Sequence, residues 1–256
     1  MSPAVHPSFS AACPPAVCDP SSERSMNIHD VKRLIEQGEG FELEFKRKVS
    51  SPQKIAKTIS SFANTKGGII LFGVDDDGSI VGIESEKSEM NLIDESARFL
   101  CEPPVEMDVK IVPYNRRDVI ALFVEESSDK PHYVTDDDGE SKVFIRVNDN
   151  TVIASKEVVK VLKDERPEKP PLTLTIGENE KRLFAYLETH PRITVSEYSD
   201  LINVSVRRAS RILTTLVRAG VIRIHTLEKT DYFTLASDDE VSAGSRTARS
   251  RTPQRR

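Results

Sequence analysis

Two groups of side chains have types and spacing suited to chemistry. The first is acidic: Glu39, Glu44 and Asp75, with Lys46 two residues past Glu44. The run from Phe41 to Lys46 alternates strictly between apolar and charged residues. With Phe41, Leu43 and Phe45 turned to a core, Glu42, Glu44 and Lys46 turn the other way. Glu39 precedes this run, and Asp75 ends a second apolar run, Ile69 to Val74. If the two strands are neighbours, Glu39, Glu44 and Asp75 converge. Converging carboxylates hold Mg²⁺ or Mn²⁺, which activates water and neutralises a scissile phosphate. Lys46 beside them orients that phosphate or stabilises developing charge.

The second group is basic: Arg207, Arg208 and Arg211, followed by Arg223 and Lys229. A helix over 205–219 places Val206, Ala209, Ile212, Leu213, Leu216 and Val217 on one side. The three arginines then lie off that stripe, near the N-terminal end. A guanidinium fork bonds two acceptors of guanine or one phosphate, which is what a DNA-reading helix needs. Arg223 and Lys229 sit where a wing would carry them.

Plainer roles stand beside these. Glu44 and Lys46 can be an ion pair on a wet sheet face. Asp75, Asp76 and Asp77 with Gly78 fit hairpin-turn chemistry. Asn64 with Gly67-Gly68 reads as a helix end and turn, Arg146 as a brace, and His132 as a histidine without spaced metal-ligand partners.

The elements that would position these groups fall into two patterned stretches. Residues 1–26, rich in Ser, Pro and Ala, are expected to be disordered, and Met26 is an alternative start. Residues 27–166 alternate strand-like and helix-like segments: helices from Asn27, Ser51 and about Lys87, strands at 41–46, 69–74, 80–83, 105–112 and 118–125, a hairpin over 133–147, and a closing helix at 155–163. That order predicts an α+β fold. A Pro-rich linker, 167–178, follows. Residues 179–235 then give three helices and a hairpin, the order of a winged helix-turn-helix. Residues 236–256 are polar and carry five arginines, suited to non-specific phosphate contact or to solubility.

Composition sets limits. Hydrophobic residues are 38% and charged residues 30%, a soluble balance. The longest apolar runs, such as Val119 to Val124, are strand-sized and far short of the roughly 20 residues of a membrane span. Cys13, Cys18 and Cys101 make neither a disulfide framework nor a zinc pair, so a reducing cytoplasm is expected. Net charge is −5, unevenly spread: residues 26–166 carry 20 basic against 28 acidic side chains (net −8), and residues 181–235 carry 9 against 5 (net +4). The basic end is where a polyanion would bind. No GxxxxGK[ST] motif is present, so ATP binding is not expected.

The segments GEGFELEFK (38–46), SFANTKGGIILFGVDDDGSIVGI (61–83) and KPHYV followed by VFIRVNDNT (130–134 and 143–151) resemble the Schlafen AlbA-like domain family. The resemblance covers about residues 28–163. It implies a DNA-binding domain, with a helix-turn-helix often following, and a role in transcriptional regulation. Animal members include metal-dependent endoribonucleases, and the resemblance places Glu39, Glu44 and Asp75 at their acidic positions. This sequence lacks their zinc-binding Cys/His set. It also has one copy of a core of which they pack two, so a homodimer would be needed for a comparable groove. Three readings follow: a DNA-binding regulator, which is favoured, an RNase, and a non-enzymatic interaction or dimerisation module.

Overall fold

The computed structural model describes residues 26–135, 139–164, 176–227 and 230–236. It has the α+β architecture expected, stacked in layers around two sheets.

The first sheet has the order β1-β2-β5-β4, with β1 Leu43–Lys46, β2 Gly68–Phe72, β4 Met107–Tyr114 and β5 Arg117–Val124. β1 and β2 are parallel, in register Glu44↔Ile70, because α2 (Pro52–Ala63) crosses over between them. The remaining pairs are antiparallel. Helix α1 (Ile28–Ile35), capped by Asn27, covers one face through Val31 against Leu43, Phe45 and Leu71. The other face meets α2 and α3 (Glu86–Arg98) through Ile55, Ile59, Phe62 and Ile93.

Helix α2 is buried almost all round because a second sheet covers its far side. That sheet has the order β3-β6-β7-β8: β3 Cys101–Glu102, β6 Tyr133–Thr135, β7 Ser141–Val147 and β8 Asn150–Ile153. Val143 and Ile145 face away from α2 and pack with Val158 and Leu162 of α4 (Lys156–Asp164). Phe144 faces the core that contains α2. Asn64, which ends α2, clips the layers together. Its Nδ2 donates to the carbonyls of His132 (3.0 Å) and Phe144 (2.9 Å), and its Oδ1 accepts the His132 amide (2.7 Å).

Two expectations are corrected here. Residues 80–83 make single bridges, Val74↔Ile80 and Ile83↔Asp118, rather than a strand. Gly82 takes φ +66°, and the amides of Val81 and Gly82 both turn to the Gly73 carbonyl, which kinks the segment. The hairpin over 133–147 gains a further strand, β8, through the left-handed turn at Asn148.

The second patterned stretch is α5 (Glu178–Thr189), α6 (Val195–Ile202), α7 (Val206–Arg218) and the hairpin β9 (Ile222–Thr226) with β10 (Asp231–Leu235). Leu183, Ile193, Tyr198, Leu213, Leu216 and Phe233 form its core. No helix among the described residues is long and apolar enough to cross a membrane. The terminal segments, most of the Pro-rich linker and Lys229 lie outside the described residues.

Candidate nucleic-acid interface

The turn between α6 and α7 is built by local chemistry. Thr194 caps α6, and the Glu197 carboxylate accepts from both the Thr194 amide (2.7 Å) and hydroxyl (2.9 Å). Those bonds hold the Glu197 carboxyl below its ordinary range. Asn203 closes α6 in the left-handed region (φ 53°, ψ 55°), a conformation asparagine tolerates. Ser205 then caps α7, its hydroxyl accepting the Arg208 amide at 3.4 Å. Ala209, Leu213 and Leu216 anchor α7 in the core. The Tyr198 hydroxyl donates to the Asn179 carbonyl (3.1 Å), and burial first, then Glu180, pushes its pKa up, so the donor is retained.

Arg207, Arg208 and Arg211 are exposed on the first turns of α7. At 3.6 residues per turn, positions 207, 208 and 211 share one side of the helix. Among the described residues, none of the three guanidinium groups is in an ion pair. Glu178 and Glu180 line a hollow beside Arg208 and Arg211, so negative charge borders the patch on that side. Glu180 also accepts the Gly177 amide (2.9 Å) at the start of α5. On the wing, Arg223 is half-buried in β9 opposite Thr234 and has a partner of its own.

One flank of α7 is covered by α4. The Ser210 hydroxyl donates to Glu157 (2.6 Å), Lys160 donates to Ser210 (2.9 Å), and Arg218 pairs with Asp164 (3.1 Å). Ser210 and Thr214 are buried in consequence, while the arginine-bearing side stays open. These contacts escaped the sequence reading. A polar stripe at Glu157, Lys160 and Asp164 opposite Val158 and Leu162 was visible, but it does not name what it faces.

The acidic group is arranged differently from the cation cluster expected. β1 and β2 are neighbours, yet their parallel pairing puts Asp75 past the far end of β2, where it pairs with Arg47 (3.1 Å). Glu39 folds back along the open edge of β1 and accepts the Phe45 amide (2.7 Å), while the Gly40 amide donates to the Leu43 carbonyl (2.9 Å). Glu44 is held between Lys46 and Arg146, the latter at 2.6 Å. The Arg146 side chain is 1% exposed. It also donates to the Gly40 carbonyl (2.7 Å) and Thr151 (3.1 Å) and lies over the Phe62 ring (4.8 Å). Among the described residues, no three His, Cys, Asp or Glu side chains are gathered so as to hold a metal ion.

Comparison with known proteins agrees with these two halves. Residues 39–155 match the family described as Schlafen, AlbA_2, and residues 177–223 match the winged helix-turn-helix DNA-binding family. No curated protein matches the sequence. Among solved structures, one similar to this chain is a protein from Corynebacterium diphtheriae, at 16% identity and a TM-score of 0.41, covering 63% of this chain. This chain spans 32% of that protein's length. Another is the N-terminal domain of a RecG-related protein from Nitrosomonas europaea, at 16% identity and a TM-score of 0.37, covering 58% of this chain and 95% of that domain.

Proposed function

From a chain that carries a Schlafen AlbA_2 domain ahead of a winged helix-turn-helix DNA-binding domain, we propose that it binds duplex DNA through α7 and serves as a transcriptional regulator. The observation that carries this reading is the open side of α7. Arg207, Arg208 and Arg211 project from the first turns of a helix whose other sides are fixed by the winged-helix core and by α4. Rigid arginines at the N-terminal end of such a helix suit a major groove, with phosphate contacts supplying most of the affinity. Arg223 and Lys229 would add wing contacts to the backbone. DNA is favoured over RNA because a groove-reading helix fits the wide major groove of B-form DNA.

The test is a gel shift with duplex DNA using the wild type and an Arg207→Ala, Arg208→Ala, Arg211→Ala triple variant. We expect the variant to lose most binding; undiminished binding would remove α7 as the reader. If the wild type retains no nucleic acid at low salt, a protein-interaction or dimerisation role takes its place.

Glu39, Glu44, Asp75 and Lys46 we assign to bracing rather than to hydrolysis. The support is that each carboxylate is already engaged by a cation or a backbone amide. Incubation with transfer RNA and Mn²⁺ should leave the RNA intact; cleavage abolished by Glu44→Gln would replace this reading with a nuclease.

A further inference from the structure

Helices α4 and α7 run side by side in the same direction. Lys160 of α4 meets Ser210 of α7, and further along Asp164 meets Arg218. Between them is a cleft of about 370 Å³ whose rim includes Lys160, Arg207, Arg211 and Arg218, with Asp164 as its carboxylate. Asp164 is already paired with Arg218, and Glu157, joined to Lys160 through Ser210, offsets part of that charge, so the excess rests on Arg207 and Arg211 with Lys160 beside them. Lys160 is exposed, and its ammonium has three protons, one of which goes to Ser210. A net excess of cations around one cleft in an otherwise acidic chain is a site for an anion.

We infer that this cleft receives a backbone phosphate of bound DNA, with Lys160 of the AlbA_2-side helix completing a clamp begun by Arg207 and Arg211. The inference rests on the α7 reading above. It adds that α4 belongs to the interface, so both halves of the chain contact the same duplex. Lys160 carries no sequence information there; it fixes register and adds salt-dependent affinity.

The test uses the full chain and fluorescence anisotropy with a labelled random-sequence duplex at several NaCl concentrations. Losing one phosphate contact should reduce the slope of log K against log [salt] by about 0.9 and weaken binding about eightfold near 0.1 M salt. Lys160→Gln is expected to give both effects and Lys160→Arg to restore them. Ser210→Ala cuts the tether to α4 without altering charge and should leave the slope unchanged. A wild-type slope in Lys160→Gln, with wild-type binding intact, overturns the clamp alone. Equal slope losses in Ser210→Ala and Lys160→Gln also overturn it, because Lys160 would then act only through helix docking. No duplex binding by the wild type overturns the α7 reading and the clamp with it.

Discussion

Replacing Arg146 with Met tests whether the Glu44 cluster braces the fold. The substitution keeps an unbranched chain against Phe62 but removes the donors to Glu44, Gly40 and Thr151. Breaking a buried ion pair by deleting one partner costs about 3–5 kcal/mol, because the remaining charge is left without compensation. Here Lys46 stays on Glu44, which places the expected loss at about 3 kcal/mol. For a chain of this size that is a fall in melting temperature of about 6–12 °C. Scanning calorimetry is the assay of choice, since it reads the melting temperature and the unfolding enthalpy together. The companion variant adds Glu44→Leu. With both charges gone, at least half of the lost stability should return: the Gly40 carbonyl loses its donor, whereas Thr151 keeps Ser61 and Lys46 keeps the Phe45 carbonyl. A single-variant loss under about 1 kcal/mol, or a double variant no more stable than the single, would refute the reasoning.

Other expectations follow from individual groups. Thr194→Ala removes the cap of α6 and should destabilise the winged helix by about 1 kcal/mol in urea titration. The Cys101 thiol is buried, and its pKa is pushed up to about 12 by burial. In a Cys13→Ser, Cys18→Ser background it should resist alkylation in the native state at mildly basic pH and react on unfolding; rapid native labelling would contradict its placement. The Asp231 carboxyl is raised above its ordinary value, mainly by burial, against bonds from Ser155 and Thr226 that lower it. The folded chain therefore holds this proton more tightly than the unfolded chain. The associated stability is present at acid pH and lost as pH rises through the raised folded value. Asp231→Asn should flatten that part of the stability profile, measured by thermal melts from acid to neutral pH.

The sequence made the winged helix legible because its signals are local. Thr194 and Ser205 cap, Asn203 turns, Gly220 stops, and the α7 stripe repeats at helical spacing. The first sheet was legible for the same reason: alternation at 41–46 and the apolar run at 69–74 announce strands. What stayed hidden depends on contacts distant in sequence. Alternation showed that Glu44 leaves the core face of β1, but not that Arg146, 102 positions later, would meet it there. Neighbouring strands were a correct condition for the acidic group, but the helix expected between them makes the pair parallel, and that direction, which the expected convergence overlooks, sends Asp75 to the end away from Glu39. β7 is buried on both faces, so its run Val143 to Val147 lacks the alternation that would have located its two neighbours. The side of α7 facing α4 is marked by Ser210 and Thr214, small polar residues outside the apolar stripe, whose types do not announce burial.

Helix α4 packs against the second sheet through Val158 and Leu162, with Ile224 of the wing against the same cluster, while Glu157, Lys160 and Asp164 engage α7. Among the described residues between the end of the first family match at residue 155 and the start of the second at residue 177, α4 is shared by both halves rather than forming a seam. Severing it at residue 155 would strip one fragment of its lid and leave the other with bare patches at Ser210 and Ile224. Fragments meant for separate expression should each keep α4, and a ligand that shifts the second sheet would tilt α7 along with it.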